Sequence, residues 1–392
     1  MSSEPYTHRF VDTGVWEGPS SIAVSGDGRR CVVGNSQING AYVYVLKNNV
    51  WEDESYFSSD TYDDSPSFGN TVAISDDGTV VAIGSPMETP DDDIRPTIPD
   101  PDPEDDDDEY NSYGYEEGGV VYVYMRSGDA WKKHILIPVR SAPGNHMGSE
   151  VKLTPDGRTL VASASGSVTV FTYRDNVWTE IHSFQQSGTK EDVNTSIDVS
   201  DDGSCIVIGE PREGEPGRVS IYTIRDEIWH VEHWTVDTTD RTPFVSISGD
   251  ASRLVIDDTV YVHTEGQWVR EQRIESDDGR GFIRFSRSGN RLLYCLHGIG
   301  TCICGSYRSP AEPWIVHVFE RRGSSWIHMT TLHPVPVPEG ANDDDVWYPD
   351  IPRDDVNSWC LEACLSSDGS TVILGPMFVE SRYVPVSEFV LN

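Results

Sequence analysis

The chain is poor in lysine and strongly deficient in positive charge, and this deficit excludes one large class of partners. Its 392 residues contain 29 Lys and Arg against 65 Asp and Glu, a formal net charge of −36. Lysine occurs only as Lys47, Lys132, Lys133, Lys152 and Lys190. Nucleic-acid binding draws most of its affinity from Lys and Arg that displace counterions from phosphate. The charge therefore predicts no nucleic-acid partner and favours a basic protein partner or divalent cations.

Long apolar runs and a leader-like start are also missing. No segment approaches the roughly 18 to 20 consecutive apolar residues of a membrane-spanning helix. The first residues, MSSEPYTHRF, have neither the basic flank nor the apolar stretch of a signal peptide. We therefore expect no membrane insertion, and a location in the cytoplasm or within an intracellular assembly or virion. Seven Cys is an odd number, so a complete disulfide framework is not expected.

What the sequence does contain is one pattern that occurs seven times. Each copy has an apolar strand, a tight turn with Asp-Gly or a relative, and a second and a third strand; in the first six copies a Trp then opens a fourth strand. In the first copy these are residues 21–25, 26–28, 31–34 and 41–45, followed by Trp51. Short alternating runs bounded by such turns predict antiparallel strands. Four strands per unit, at a spacing of mostly 40 to 50 residues, are typical of a β-propeller.

The predicted fold class is therefore all-β: a single seven-bladed β-propeller domain over residues 1–392, built of four-stranded antiparallel blades. The seventh copy ends after three strands, whereas the chain starts with one strand to spare. Tyr6 precedes Ile22 by 16 residues, as Trp229 precedes Val245. We predict that residues 6–10 pair with the strand near residues 383–389, which closes the ring and leaves no open sheet edge between its ends. The recurring Trp residues should pack between blades; they are Trp51, Trp131, Trp178, Trp229, Trp268 and Trp326.

Two known repeat types resemble parts of this pattern. The sequence SFGNTVAIS at 67–75, AIGSP at 82–86 and GGVVYVY at 118–124 resembles an FG-GAP repeat. The sequences PDGRTL at 155–160 and GSVTV at 166–170 resemble the turn of WD40-like propellers. The resemblance implies interaction or adhesion. The alternating Asp or Asn calcium loop of integrin-type blades has no counterpart in this sequence, so no calcium site or other cofactor is carried over.

Three long segments interrupt the repeats. They are 86–118 in blade two, 295–313 in blade six and 334–358 between blades six and seven. Because strands alternate in direction, all three should emerge at the same end of the ring, opposite the short Asp-Gly turns. Loops on a rigid scaffold commonly carry binding functions, so we expect this end to be the functional face.

The first insertion is the most acidic part of the chain. Residues 91–109 hold 11 acidic residues, one Arg and four Pro. Three interpretations stay open: a solvated loop, a docking site for a basic segment, and a collector of divalent cations. In the third insertion, two aromatic residues beside acids either anchor a partner or hold the loop on blade six. The candidate partner-binding residues are Asp91, Asp92, Asp93, Asp105, Asp106, Asp107, Asp108, Asp343, Asp344, Asp345, Trp347 and Tyr348.

No catalytic or metal-binding set stands out. Five Cys could approach one another at the functional face, with a zinc site, one disulfide or free thiols as interpretations, although their spacing lacks the paired C-x2-C of zinc knuckles. These are Cys295, Cys302, Cys304, Cys360 and Cys364. Cys31 and Cys205 are predicted core residues. No H-E-x-x-H or G-x-S-x-G motif occurs.

The inner strands place mixed polarity near the axis of the ring, which suits either a small site or a wet, salt-bridged channel. Their middle positions are Ala23, Ala73, Lys152, Asp198, Ser246, Arg284 and Cys364. The leading functional hypothesis is a non-enzymatic interaction scaffold that presents an acidic, insertion-rich face to a protein partner. The alternatives are an FG-GAP-type adhesin that binds carbohydrate or divalent cations, and an enzyme with its site at the channel mouth.

Overall fold

A computed structural model describes twelve segments of the chain, and these form seven four-stranded antiparallel sheets. The described residues are 6–11, 21–59, 67–89, 118–138, 144–186, 195–212, 214–237, 242–274, 281–296, 315–332, 363–374 and 386–391. Each sheet is one blade of a ring, and its strands are called A to D from the axis outwards. The A strands of neighbouring blades contact one another, which makes them the inner wall of the ring.

The chain enters the ring with β1 (Tyr6–Val11) and then builds the blades in order. Blade 1 contains β2 (Ser21–Val24), β3 (Arg30–Asn35), β4 (Gly40–Lys47) and β5 (Val50–Ser58). Blade 2 contains β6 (Thr71–Ile74), β7 (Val80–Ser85), β8 (Val120–Ser127) and β9 (Ala130–Leu136). Blade 3 contains β10 (Val151–Leu153), β11 (Thr159–Ala164), β12 (Ser167–Arg174) and β13 (Val177–Gln185).

The second half of the ring repeats this arrangement. Blade 4 contains β14 (Ser196–Val199), β15 (Cys205–Glu210), β16 (Gly217–Arg225) and β17 (Ile228–Val236). Blade 5 contains β18 (Val245–Ile247), β19 (Arg253–Ile256), β20 (Thr259–Thr264) and β21 (Gln267–Arg273). Blade 6 contains β22 (Gly281–Phe285), β23 (Arg291–Leu296), β24 (Ile315–Arg322) and β25 (Ser325–Leu332). Blade 7 contains β26 (Ala363–Leu365), β27 (Thr371–Leu374) and β28 (Val386–Leu391), with β1 as its fourth strand.

Both ends of the chain share blade 7, which confirms the predicted closure. Strand β1 pairs with β28 in antiparallel register, with Tyr6 opposite Leu391. In blade 6 the residue that corresponds to Leu391 is Arg321, and it pairs with Trp326. Tyr6 therefore occupies in blade 7 the position at which the other six blades carry Trp.

Seven apolar clusters fill the seven interfaces between neighbouring blades, so the ring has a continuous core. Successive residues of a strand point to opposite faces. In β3, Val32 packs towards blade 2, whereas Cys31 and Val33 pack towards blade 7. This two-sided burial explains why the B strands are apolar at nearly every position, as in Cys205–Glu210 with its CIVI run.

The six Trp side chains lie in these interfaces, as predicted. Trp178 and Trp326 are buried, and the other four are partly buried against the cluster that faces the preceding blade. Two of the indoles also donate a hydrogen bond across the interface. Trp51 Nε1 donates to Glu388 Oε2 at 3.0 Å, and Trp326 Nε1 donates to Glu271 Oε2 at 2.9 Å. The recurring Trp is thus a packing residue with a polar edge.

Glycines set the close approach of blade 2 to its neighbour in the FG-GAP-like segment. Gly69 has φ +90°, and a Cβ on it would lie 2.4 Å from the carbonyl oxygen of Gly40. A Cβ on Gly34 would lie 2.2 Å from the carbonyl oxygen of Gly69. The motif therefore permits contact between the backbones of blades 1 and 2 that any side chain would prevent.

Candidate functional site

The two ends of the ring differ in their connections. The A–B and C–D turns lie at one end, called the turn end, and the B–C and D–A connections lie at the other, called the insertion end. The twelve candidate partner-binding residues, Asp91–Asp93, Asp105–Asp108, Asp343–Asp345, Trp347 and Tyr348, lie outside the described residues. Of the insertions that hold them, the structure describes only the strands from which they leave.

These exit points are all at the insertion end. In blade 2, Ser85 at the end of β7 pairs with Val120 at the start of β8. In blade 6, Leu296 pairs with Ile315. The connection from blade 6 to blade 7 leaves β25 after Leu332, the fourth strand of its sheet, and is of the D–A type. Each exit follows from strand direction alone, because all neighbouring strands are antiparallel.

A buried carboxylate holds the chain where the first insertion leaves blade 2. Glu88 is 3% exposed, and its Oε1 accepts hydrogen bonds from the hydroxyls of Tyr122 and of Ser59 in blade 1. Its carbonyl oxygen accepts from Gly119 N at 3.0 Å. Residues 88 and 119 are thereby tied to each other and to both blades. The long segment between them starts and ends on a fixed base.

At the turn end, six of the seven A–B turns share a Ser/Thr-x-Asp arrangement. In the first, Ser25 Oγ donates to Asp27 Oδ1 at 2.7 Å, Asp27 Oδ1 accepts from Arg29 N, and Ser25 Oγ accepts from Arg30 N. The sixth turn replaces the Asp by Ser288. Burial by itself raises the pKa of these carboxyls, but the hydrogen bonds from the Ser hydroxyl and the backbone outweigh it. The net pKa is lowered for Asp77, Asp202, Asp250 and Asp368.

The turns join into a belt of backbone hydrogen bonds around the axis. The belt surrounds the turn-end opening of the channel. One link is missing because Pro155 has no N–H to donate towards blade 4. The six links have N–O distances from 2.8 to 3.3 Å, and their donors are the N–H groups of Gly26, Asp76, Asp201, Gly249, Ser288 and Ser367.

Arg287 of blade 6 crosses the opening to the missing link. Its Nη1 donates to the carbonyl oxygen of Val199 and its Nη2 to that of Leu153, each at 2.8 Å. Its Nη1 also lies 3.4 Å from Asp201 Oδ1. Burial is the main reason that the pKa of Asp201 is raised, and the neighbouring Asp76 adds to it while Arg287 opposes it. The guanidinium therefore joins blades 3 and 4 where the backbone cannot.

The side chains in the belt leave little free space. Asp76 Oδ1 accepts from Ser367 Oγ at 2.6 Å and passes over Gly26, where a Cβ would lie 2.5 Å from Asp76 Cγ. Asp201 passes in the same way over Gly249, where a Cβ would lie 2.4 Å from Asp201 Cγ. The side chains of Asp76, Asp201 and Arg287 thus lie at the turn end of the channel and link its blades.

The inner A strands satisfy their exposed N–H groups with oxygens from the preceding blade. Four consecutive blades do this at the same position, and the pairs are Val72 N to Ser21 Oγ, Val151 N to Thr71 Oγ1, Ile197 N to Glu150 Oε2 and Val245 N to Ser196 Oγ. Lys152 pairs with Glu150 at 2.8 Å, and Asp198 accepts from Ser246 Oγ and Ile247 N. Asp198 thus joins blades 4 and 5, and Lys152 pairs with the carboxylate that joins blades 3 and 4.

Three of the four described Cys residues are buried core groups, and Cys364 in β26 is partly buried. Cys31, Cys205 and Cys295 are buried, and burial raises the pKa of Cys205 and of Cys295 to about 12. The core role predicted for Cys31 and Cys205 is confirmed. Cys295, predicted to lie in the blade-six insertion, is instead part of β23 and packs between blades 6 and 7. Cys302, Cys304 and Cys360 lie outside the described residues.

The sequence patterns missed one set of an acid, a serine and a histidine that lie together in blade 4. Its geometry fits a structural role and not a catalytic one. Glu210 accepts from Ser220 Oγ and from Arg218, and Ser220 Oγ lies 2.9 Å from His233 Nδ1. Ser220 is fully buried and Glu210 is 1% exposed. A nucleophile must be reachable by substrate, and this hydroxyl is not. Across the described residues no group of three or more His, Cys, Asp or Glu side chains is placed to hold a metal ion.

Comparison with known proteins supports the fold and no particular activity. The chain matches no protein-family model and no curated protein by sequence. It does match solved structures, including the crystal structure of a protein from Lactobacillus plantarum. That match has a TM-score of 0.50 and 12% sequence identity, and it covers 80% of this chain and 84% of the other. At this identity the likeness shows the fold alone. Among the described residues no helix is long and apolar enough to span a membrane.

Proposed function

We propose that the protein is a non-enzymatic interaction scaffold that binds a basic segment of a protein partner at its insertion end. The observation that carries the proposal is the asymmetry of the ring. The three long connections all leave from the insertion end, whereas the turn end carries short turns that are joined by the belt and by Arg287. A rigid base with variable loops on one side is the usual arrangement of a binding surface.

The distribution of charge also supports the insertion end as the binding surface. Residues 91–109 contribute ten of the 36 net negative charges. At the turn end, basic side chains flank the acidic turns and balance them locally; they include Arg29, Lys47, Arg158, Arg174, Arg225, Arg287 and Arg322. The uncompensated field therefore belongs mainly to the rest of the molecule. Such a field speeds the encounter with a basic partner and weakens as salt screens it.

The FG-GAP-like residues of blade 2 support an interaction role in a second way. Phe68 is fully buried and packs edge-on against Tyr122, the residue that also holds Glu88. The motif thus stabilises the base from which the acidic insertion leaves. This connection favours a scaffold over an enzyme, because the motif residues support a loop and surround no described cavity with reactive groups.

The experiment compares two variants that each lose four acidic charges. The insertion-end variant carries Asp105→Asn, Asp106→Asn, Asp107→Asn and Asp108→Asn. The turn-end control carries Asp129→Asn, Asp175→Asn, Asp226→Asn and Glu227→Gln. A fluorescent lysine-rich peptide serves as the probe, and its association rate and affinity are measured by anisotropy at low and at high salt.

The proposal expects the insertion-end variant to bind the peptide more slowly and with a weaker salt dependence, and the turn-end control to resemble the native chain. Both variants should keep the native melting temperature, because Asn and Gln have nearly the same size and shape as Asp and Glu. Equal losses in the two variants would show that binding follows net charge alone. An unchanged insertion-end variant would remove the acidic segment from the binding surface. Either result would overturn the proposal.

A further inference from the structure

Two histidines meet a threonine on blade 6, close to its insertion end. His317 lies near the start of β24, and His328 and Thr331 lie on β25. His317 Nδ1 is 3.3 Å from His328 Nε2 and 2.9 Å from Thr331 Oγ1, and His328 Nε2 is 3.1 Å from the same oxygen. Three atoms with lone pairs thus form a small triangle.

A β-bulge makes this arrangement possible. His317 pairs with Thr331, but Phe319, two residues further on, pairs with His328, so Met329 is the extra residue on β25. In an unbulged pair His328 would point to the opposite face from Thr331, because alternate residues face opposite sides. The bulge turns His328 onto the face of His317 and Thr331. Bulges commonly re-aim a side chain in this way.

The pair is particular to blade 6 and is not part of the repeating architecture. The positions equivalent to His317 and His328 hold Tyr42 and Asp53 in blade 1, Tyr122 and Lys133 in blade 2, Thr169 and Glu180 in blade 3, Ser220 and Val231 in blade 4, and Thr259 and Arg270 in blade 5. The Trp, the turn Asp and the belt recur around the ring because closure requires them. Closure of the ring does not require the two imidazoles.

We propose that His317 Nδ1, His328 Nε2 and Thr331 Oγ1 form a binding site for a divalent transition-metal ion, with Zn²⁺ as the representative ion and water in the remaining position. Zinc binds imidazole nitrogens at about 2.0 to 2.1 Å with tetrahedral geometry, which places two ligand nitrogens about 3.3 Å apart. The two ring nitrogens already have this separation. Imidazole ligands select Zn²⁺, Cu²⁺ and Ni²⁺ over Ca²⁺ and Mg²⁺, which prefer oxygen.

The number of hydrogens available to the three contacts favours a metal cation at the centre of the triangle. A neutral imidazole nitrogen that carries hydrogen cannot accept, and one that accepts cannot donate. Three mutual contacts therefore cannot all be full hydrogen bonds at once. A single metal ion accepts a lone pair from all three atoms together. His328 is exposed, so an ion can reach it from solvent.

The test is a zinc titration of the full chain, freed of metal by chelator, using calorimetry near neutral pH. The native chain should show a saturable Zn²⁺ site that Ca²⁺ does not fill. His328→Gln should weaken this site by at least about tenfold, because the remaining imidazole alone chelates poorly. Thr331→Val should weaken it less. Binding should weaken in acid, since protons compete with the metal ion for ligand nitrogens.

Two controls separate this site from background binding. His230→Gln removes an exposed histidine from β17 and should leave zinc binding unchanged. The insertion-end variant with four Asp→Asn changes should also keep the site, so the metal proposal and the partner proposal fail independently. Electron paramagnetic resonance of bound Cu²⁺ gives a direct readout: two imidazole nitrogens in the native chain and one in His328→Gln. Equal zinc affinity in His328→Gln and His230→Gln, or a copper signal without paired nitrogens, would overturn the proposal.

Discussion

The turn end and the insertion end are made from the same strands, yet they obey different constraints. At the turn end, one turn geometry is used in nearly every blade, because each turn residue must meet its neighbour in the belt. At the insertion end, connections of very different length leave from equivalent strand ends. A closed ring needs uniform geometry at one end only. The other end is free to vary, and variation there costs the core little.

Removing β1 should have the largest effect, since it opens the ring. Deleting residues 1–11 strips β28 of its outer partner and uncovers Phe389 and Leu391, which are 1% and 7% exposed in the folded chain. We expect a loss of more than about 4 kcal/mol in the free energy of unfolding, measured by urea denaturation. Deleting only residues 2–4 is the control and should change little. Rescue by a synthetic peptide of residues 1–12 would confirm the cause, and a stable truncated chain would contradict it.

Trp178→Ala should have the next largest effect, because it removes a buried ring from the interface of blades 2 and 3 beside the turn end. Trp178 is 8% exposed and packs with Tyr173 at a ring distance of 5.4 Å. The expected cost is roughly 3 to 5 kcal/mol. Trp178→Phe keeps most of the apolar area and should cost much less. An unchanged melting temperature for Trp178→Ala would show that the Trp series is not a packing device.

Arg287→Leu tests whether the bridge that Arg287 makes between blades 3 and 4 stabilises the turn end. The substitution leaves the carbonyl oxygens of Leu153 and Val199 without their donor. The expected loss is about 2 kcal/mol in chemical denaturation. The control is Arg322→Leu, also at the turn end, whose side chain is 62% exposed and pairs only with Glu320 among the described residues. It should change stability by less than about 0.5 kcal/mol. If the two changes had equal effects on stability, Arg287 would contribute no more than an exposed surface charge, which would contradict its role as a bridge between blades.

The smallest expected effect is on how the stability of the folded chain depends on pH in acid. The pKa values of Asp77, Asp202, Asp250 and Asp368 are lowered in the folded chain, so their contribution to stability is complete above the unfolded value of about 3.9 and is lost as pH falls through the folded pKa. Asp250→Asn should therefore flatten the fall in unfolding free energy below about pH 4. The raised pKa of Asp201 acts in the opposite direction. A variant with the same acid slope as the native chain would contradict the role of these turns.

Much of the fold was predictable from local pattern. The Asp-Gly turns, the apolar runs and the recurring Trp predicted seven blades, and the spare first strand predicted the closure. Even Tyr6 was placed correctly, because it precedes Ile22 by 16 residues, as Trp229 precedes Val245. Cys295 was misplaced, since its strand extends further than its turn signals indicated.

The sequence by itself determined the number of blades, their order and the ends to which the connections belong, because these depend on strand alternation and short turns. Only the tertiary structure decided which polar groups meet. Arg287 reaches Leu153 across 134 residues of chain, and Trp51 meets Glu388 across 337. His317 and His328 share a face because one residue bulges out of β25. A single extra residue turns every side chain beyond it to the opposite face of the sheet. The alternation of residue types in a short strand does not show where such a residue lies.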